Sequence, residues 1–473
     1  MKRTLAFSLL ILMLSTGLGL AEPADQAKPA PWPDPDRIGY EEIKFSPPKP
    51  ERVVLDNGLT LYYLENRELP LVNVSLIVGA GSIYEPVGKE GLAEMTGDVM
   101  RTGGAGKQSG DQMDEELEYL AAPISVSLGM EYGTASLSVL KKDLNRAFKL
   151  FADIIRRPAF DEAKLDQEKN LKMEELRRVF DKPQKLAFRE FKKAIYADNP
   201  RGHLPVIASI EKIEREDLVS FHKAYFFPRN LRIAITGDLS KQEAVDLISR
   251  HFEDWDDEGD FGTVPLPKPQ ENAPLYYYEK KVPQSTVIIG AIGPGKESPD
   301  FYPFTVLDYI LGSGGFRSRI FQEIRSNRGL AYSAGSFYEG RQGYGAFGAY
   351  AMTKSESTGQ VINLMEGILK DARESRVPAQ EIHLAKRSLV NSYIFSFTSP
   401  HMIAMQYMML EFQGLPTKFL TDYPAMIDAV SREDILKSAE KYLDPEKKTI
   451  FVLGDESKFD EALKSFGTVK RIK

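Results

Sequence analysis

Histidine and cysteine are the side chains that most often hold a catalytic metal or attack a substrate, and this chain is poor in both. It has no cysteine and five histidines, His203, His222, His251, His383 and His401. None stands one helical turn from another, so no pair offers two imidazoles to one metal ion. Isolated surface or capping roles are expected for all five. Gly312-Ser-Gly-Gly315 could cradle a phosphate, but no Gly-Lys-Ser/Thr follows, and it reads as a turn with close backbone approach. Met402, Met405, Met408 and Met409, with Tyr407, recur at helical spacing and are expected in a core or lining a chamber, because methionine fills gaps. The basic and acidic run from Lys164 to Lys182 reads as a solvated helix face.

The scaffold that must position such residues is written twice. Arg215 to Lys241 recurs without a gap, shifted by 217 positions, at Arg432 to Lys458, and ten of the 27 positions are identical. Chance would give only about one or two. Pro183 and Pro400 share the same offset, and Gly79-Ala-Gly81 is echoed by Gly293-Pro-Gly295. A solenoid repeat spans roughly 20–50 residues, so a period this long indicates two homologous domains.

Within the first copy, Asp56-Asn57-Gly58 between two apolar runs predicts a hairpin over Val53–Glu65 with a tight primed turn. Alternation predicts a strand over Val72–Val78, and 3.6-residue periodicity predicts helices over Leu144–Ile155 and Asp161–Phe180. A strand over Leu231–Thr236 and a helix over Lys241–Phe252 close the copy. The acidic, then proline-rich segment Glu253–Asn272 is the best linker. The second copy repeats the order with strands at Leu275–Glu279, Thr286–Ile292 and Thr449–Leu453, and a last helix. Strands and helices that do not alternate strictly indicate an α+β fold, each half a mostly antiparallel sheet with helices on one face. The expected boundaries are an N-terminal domain over 51–262, a linker over 263–273 and a C-terminal domain over 274–473.

Met1-Lys2-Arg3, an uncharged and mostly apolar run from Leu5 to Leu20, and Ala21 ahead of Glu22 read as a signal peptide over 1–21, with an uncleaved anchor as the alternative. The proline-rich 22–50 reads as an extended tether whose Trp32 could dock on a surface. A periplasmic or secreted protein is expected, its size replacing disulfides as the source of stability. Loss of Lys2 and Arg3 would move the formal charge from −7 to −9, which argues against nucleic acid as a partner.

Leu55-Asp-Asn-Gly58, Gly81-Ser-Ile-Tyr-Glu-Pro86, Glu90-Gly-Leu-Ala93 and, far downstream, Arg319-Ile-Phe-Gln-Glu-Ile-Arg325-Ser-Asn-Arg-Gly-Leu-Ala-Tyr332 together resemble the pitrilysin/insulinase family of inverzincin zinc peptidases. The resemblance runs from about Pro50 to the end. It implies two homologous α+β domains per chain and a clam-shaped assembly whose halves enclose a peptide-binding chamber.

That family's His-x-x-Glu-His directly follows Gly-x-Ala, whereas here Gly91-Leu-Ala93 is followed by Glu94-Met-Thr-Gly97-Asp98. The resemblance places Glu94 and Asp98 at ligand positions, Gly97 at the general base, and Glu175, beside Glu174, at the third ligand. An oxygen-only set suits calcium or magnesium better than zinc, and glycine cannot take a proton from water. Solvated or salt-bridged acids, with no metal or other cofactor in this chain, are therefore expected. A second pair fits the family. Arg325 and Tyr332 match an arginine and tyrosine that the half facing the zinc contributes to the scissile region, with Arg328 as the alternative arginine. A guanidinium can hold a substrate backbone oxygen, and a phenol can donate to a carbonyl becoming an oxyanion.

The resulting expectation is a zinc-free subunit that is inactive alone. Arg325 and Tyr332 would complete the site of a homologous partner bearing the zinc motif, and an edge strand of the N-terminal half would help hold peptide. A non-enzymatic peptide-binding or assembly protein is the alternative. An active homodimer using Glu94, Asp98 and Glu175 on an unusual metal is a third reading, disfavoured by the glycine at the base position.

Overall fold

The computed structural model describes residues 46–256, 259 and 262–472. The expected signal peptide and most of the tether, including Trp32, lie outside the described residues. Among the described residues no helix is long and apolar enough to cross a membrane.

The first half contains strands β1 (Glu51–Val54), β2 (Thr60–Glu65), β3 (Leu71–Val78), β4 (Ile124–Leu128), β5 (Gly133–Leu140) and β6 (Leu231–Gly237). Its helices are α1 (Leu92–Thr102), α2 (Gly110–Tyr119), α3 (Leu144–Arg156), α4 (Glu162–Val179), α5 (Pro183–Tyr196), α6 (Ile207–Glu211), α7 (Arg215–Tyr225) and α8 (Lys241–Phe252). The second half contains β7 (Leu275–Glu279), β8 (Gln284–Gly293), β9 (Ala331–Gly340), β10 (Gly345–Lys354), β11 (Thr449–Gly454) and β12 (Val469–Ile472). Its helices are α9 (Phe301–Asp308), α10 (Thr358–Glu374), α11 (Ala379–Tyr393), α12 (Pro400–Phe412), α13 (Lys418–Ala429) and α14 (Arg432–Tyr442).

Each half builds one six-stranded sheet, in the orders β1-β2-β6-β3-β5-β4 and β12-β7-β11-β8-β10-β9. The inner orders are the same, with β2, β6, β3, β5 and β4 matching β7, β11, β8, β10 and β9. The fold is thus the expected α+β pair of homologous domains. Pairing is antiparallel except between β2 and β6, β7 and β11, and β7 and β12. The repeated Arg-Glu-Asp opens α7 and α14 for a local reason. Asp217 accepts the backbone N–H of Glu214 at 2.7 Å, and Asp434 accepts that of Ser431 at 2.9 Å, each satisfying an otherwise orphaned donor.

In the first half, alternate β3 residues Val72, Val74, Leu76 and Val78 meet the apolar stripe of α3, with Ala147, Phe148, Phe151 and Ile155 in the same core. The half's own helices cover this face. The opposite face of each sheet is covered from the other half. Helix α5 leaves the first half and lays Leu186, Phe191 and Ile195 on Tyr276, Ile288 and Phe451 of the second sheet. Helix α12 does the reverse, setting Ile403, Tyr407 and Met408 on Tyr62, Ile77 and Ala234 of the first. Pro183 and Pro400, the isolated echo in the sequence, are the first residues of these two exchanged helices. The fixed φ of proline suits that position. Polar ties reinforce the exchange. Glu411 of α12 accepts from Tyr62 and from Arg52 (Nε–Oε2 2.5 Å), and Glu131 of the first half accepts from Arg201 (2.8 Å) and from Tyr344 (2.9 Å) of the second.

Two expected elements differ. The β1–β2 connection is a wider turn over residues 55–59, closed by Gly58 N–H to Leu55 O at 2.9 Å, and only Gly58 (φ +88°) is left-handed. A type I′ turn would need both central residues there, and a type II′ turn the first. Asn57 instead spends its side chain elsewhere, accepting the N–H of Leu59 at 3.2 Å and donating to Phe252 O at the end of α8 at 2.7 Å. The last helix is absent: short 3-10 turns at Glu456–Lys458 and Leu463–Phe466 lead into β12. The acids of that segment cap another helix, with Asp460 accepting the N–H groups of Gly359 (2.7 Å) and Gln360 (3.0 Å) at the start of α10.

Candidate active site

Glu85, in the turn before α1, accepts the N–H of Gly91 (3.0 Å) and of Ala93 (2.8 Å), so one carboxyl satisfies two donors at the helix start. Burial outweighs these bonds and pushes Glu85 up to about 7. From this fixed start, Glu94 and Asp98 fall one turn apart on the side facing α4. Between the helices stands Lys172. Its Nζ donates to Glu94 at 2.7 Å and to Glu175 at 2.8 Å, and its side chain is only 11% exposed. Burial pulls the ammonium down, but the bonds to Glu175 and Glu94 hold it above its ordinary value, so it stays charged. Glu174 turns away to Arg177, which identifies Glu175 as the residue facing the cradle. Burial, then repulsion from Glu94 and Glu168, pushes Asp98 up to about 7 despite Lys172.

Gly97 is buried against strand β4. A Cβ built there would lie 2.9 Å from Leu128 Cδ1 and 3.2 Å from Leu128 N, so a larger residue would have to turn the Leu128 side chain and press on the strand backbone. The residues therefore do not fit a catalytic zinc ion: there is no imidazole, there is no base, and an ammonium lies among the acids. Strand β4 is an edge of its sheet, with Ser125 and Ser127 exposed and Arg101 Nε held on Ile124 O at 2.9 Å.

The second pair is brought together. Arg325 lies on a π-helical stretch, Phe321–Asn327, and Tyr332 enters β9. The guanidinium carbon sits 4.7 Å from the ring centroid of Tyr332 and 4.7 Å from that of Phe321. Both are cation–π distances. Phe316, 72% exposed, completes an aromatic rim at 5.9 Å. Ser333 pairs with Met352 and Ala331 with Thr353, which passes over Tyr332 in a bulge and leaves it 80% exposed. Bulges and π-turns both re-aim side chains. Among the described residues the Arg325 side chain has no hydrogen-bond or ion-pair partner. Arg328 is held by Glu323 (2.7 Å) and Arg319 by Glu381 (2.8 Å) and Asp371 (2.7 Å), so Arg325 is the one of the three free to bind another group.

Beside β9 lie a close backbone approach and a buried acid. A Cβ on Gly312 would lie 2.1 Å from Ser336 N, the expected close approach, but Gly312 and Ser313 belong to a π-helical stretch, Tyr309–Ser313, and not to a turn. Ser336 Oγ donates at 2.6 Å to Asp308, whose carboxyl burial pushes up to about 6. Lys172, Phe316, Phe321 and the Asp308–Ser336 bond went unread in the sequence. Phe321 four residues before Arg325 was the one available spacing signal.

His383 on the surface and His222 on a last-turn carbonyl of α3 keep the expected surface and capping roles, whereas His401 departs from them. His222 is bonded to Ile155 O at 2.8 Å, and His401 bridges Ser75 (2.8 Å) and Thr236 (2.9 Å) beneath α12; burial pushes both down to about 4. His251 lies by Phe148, with ring centroids 5.5 Å apart, and His383 is exposed. Among the described residues no group of histidines and acids is disposed to hold a metal. Tyr407 and Met408 are core residues and Met405 and Met409 pack against them, as expected of the methionine-rich segment, whereas Met402 is exposed at the start of α12. The charged face of α4 is less solvated than expected, since Lys169 caps Glu211 O and Ile213 O at 3.0 Å and Lys172 is tucked inward. A cavity of about 1170 Å³ opens between the halves, lined by Tyr84, Tyr132, Arg201, Lys296, Tyr338 and Phe412 among others.

Residues 62–204 match the family model Insulinase (Peptidase family M16), and residues 212–389 match Peptidase M16 inactive domain. An uncharacterized zinc protease of Rickettsia bellii is 26% identical over 344 residues, 71% of this chain and 81% of that protein. The mouse mitochondrial-processing peptidase subunit beta is 24% identical over 428 residues, covering 87% of this chain and 86% of the relative. The fold matches a crystal structure of a peptidase M16 inactive domain from Pseudomonas fluorescens (TM-score 0.79, 24% identity, 86% of this chain and 98% of the other). It also matches a protease from Helicobacter pylori (TM-score 0.77, 20% identity, 86% and 100%).

Proposed function

We propose, for a chain that belongs to the insulinase family of peptidases (family M16), that it is a zinc-free subunit completing the active site of a homologous partner that bears the zinc motif. The observation that carries this reading is Arg325, unpaired among the described residues and stacked on an exposed tyrosine, on backbone irregularities that turn both outward. An arginine with its N–H groups open beside an outward-turned phenol offers two donors to a group that arrives from outside. In the joined site, Arg325 would hold a backbone oxygen of the peptide, and the Tyr332 phenol would donate a hydrogen bond to the scissile carbonyl oxygen as charge develops on it. The metal, which would activate water, and the general base belong to the partner. The exposed edge of β4 beside the cradle would take an extended peptide by strand addition. Export to the periplasm, proposed from the N-terminal sequence, would set the compartment.

The test uses the pure chain and the chain copurified with a zinc-motif homologue from the same source. Chelator-sensitive peptide hydrolysis is expected only from the pair. Robust hydrolysis by the pure chain would overturn the reading.

A second reading, a non-enzymatic peptide-binding protein on the same fold, is favoured by the cavity between the halves. Its aromatic walls and volume suit a short peptide. Tight peptide binding by the pure chain, unaffected by Arg325→Ala, would shift the assignment to it.

A further inference from the structure

We propose that Lys172 does within this chain the mechanical work that a metal ion does in an inverzincin cradle: it ties α4 to α1 by neutralising acids on both. The geometry carries the inference. A metal at such a site joins ligands from two helices through one positive centre, and here Lys172 Nζ reaches Glu94 on α1 at 2.7 Å and Glu175 on α4 at 2.8 Å. These are the acids at the first and third ligand positions. The Lys172 side chain is 11% exposed, whereas Glu94 and Glu175 keep 44% and 64% of theirs open, so the cation is packed between the helices and its acids face water. Lys172 precedes Glu175 by three residues on its own helix, so that contact is local, and the bond to Glu94 is the one that spans the helices.

Removing the ammonium would leave Glu94, Asp98 and Glu175 facing one another, an uncompensated group of like charges in a partly buried place. Such a site relaxes by protonation of its acids or in one of two further ways. The helices can part, or a hard divalent cation can enter where the ammonium was, since oxygen ligands suit calcium, magnesium or manganese. Lys172 thus explains how the cradle keeps its shape with no imidazole, and it bars a metal from entering by holding the ligands itself.

The experiment uses the full chain with manganese(II) as the probe, followed by thermal unfolding and by the electron paramagnetic resonance signal of bound ion. The wild type should show neither binding nor a change in Tm on adding manganese. Lys172→Met should lower Tm by several degrees, and manganese should restore much of that loss with about one ion bound. Adding Glu94→Gln to Lys172→Met should abolish the response. An unchanged Tm in Lys172→Met, or an equal manganese response in the wild type, would overturn the proposal. If Lys172→Met does not fold, Glu94→Gln alone decides: cutting the inter-helix bond should lower Tm, and Lys172→Arg should keep it near the wild-type value. A Glu94→Gln chain as stable as the wild type would equally refute the bridge.

Discussion

The guanidinium of Arg325 lies over the ring of Tyr332, 4.7 Å from its centroid, and over that of Phe321 at the same distance. The stack fixes the position of the cation while leaving its hydrogen-bonding edge open, because a cation–π contact consumes no N–H donor. With a zinc-bearing partner present, Arg325→Ala and Tyr332→Phe should each lower turnover by about 10²-fold, the usual size for one lost oxyanion donor. Complex formation, measured by sedimentation, should be unchanged. Equal loss of assembly would mean that the pair is an interface element and not part of the site.

Phe321 acts through Arg325 in this geometry. Phe321→Leu should reduce turnover by roughly fivefold, about 1 kcal/mol, by loosening the stack. It should have no further effect in an Arg325→Ala background. Additive losses in the double variant would show that the two residues act independently.

Restoring the missing chemistry should fail at Gly97. Gly97→Glu is expected to cost about 1–3 kcal/mol, because its Cβ would meet Leu128 at 2.9 Å. Even together with Glu94→His and Asp98→His it should not give chelator-sensitive hydrolysis while Lys172 remains. Denaturant unfolding and peptide turnover measure the two halves of this prediction; zinc-dependent activity in the triple variant would refute the second.

Acid should unlatch α12. Burial holds His401 down at about 4 in the folded chain, against about 6.5 when unfolded. The folded state thus favours the neutral ring. The stability it contributes is fully present above pH about 6.5, falls as pH drops, and is gone below about 4. Between pH 7 and 5 the loss should be about 2 kcal/mol from this group. His401→Gln should be less stable at pH 7 yet lose less on acidification; parallel losses in the two proteins would exclude His401 as the titrating group.

The exchanged helices should matter as much as either core. Phe191→Ala, which empties a ring from the second sheet's outer face, should cost about 3–5 kcal/mol although Phe191 belongs to the first half. A loss below about 1 kcal/mol would mean that α5 is a loosely held appendage.

The repeat, the strands and the α+β class were legible in the sequence because they follow from local periodicity and from one undivided stretch of identity. The absence of an imidazole pair was legible for the same reason: Glu94, Gly97 and Asp98 are neighbours in the chain. What could not be read depends on distant segments. Lys172 looks like any solvated lysine until α1 is placed beside it, and His401 looks isolated until Ser75 and Thr236 enclose it. Asn57-Gly58 pointed to a tight turn because nothing local reveals that the Asn57 side chain is claimed by Phe252. The bulge at Tyr332 is a matter of register with β10 and leaves no trace in either strand alone.

Helices α5 and α12 clasp the two halves like crossed arms. Rotating one half against the other would strip an apolar face from both sheets at once. The two crossings resist such a rotation among the described residues, so a chamber built with a partner is expected to open and shut at the seam between subunits. A protease nick between residues 253 and 272 would cut the backbone without releasing either half.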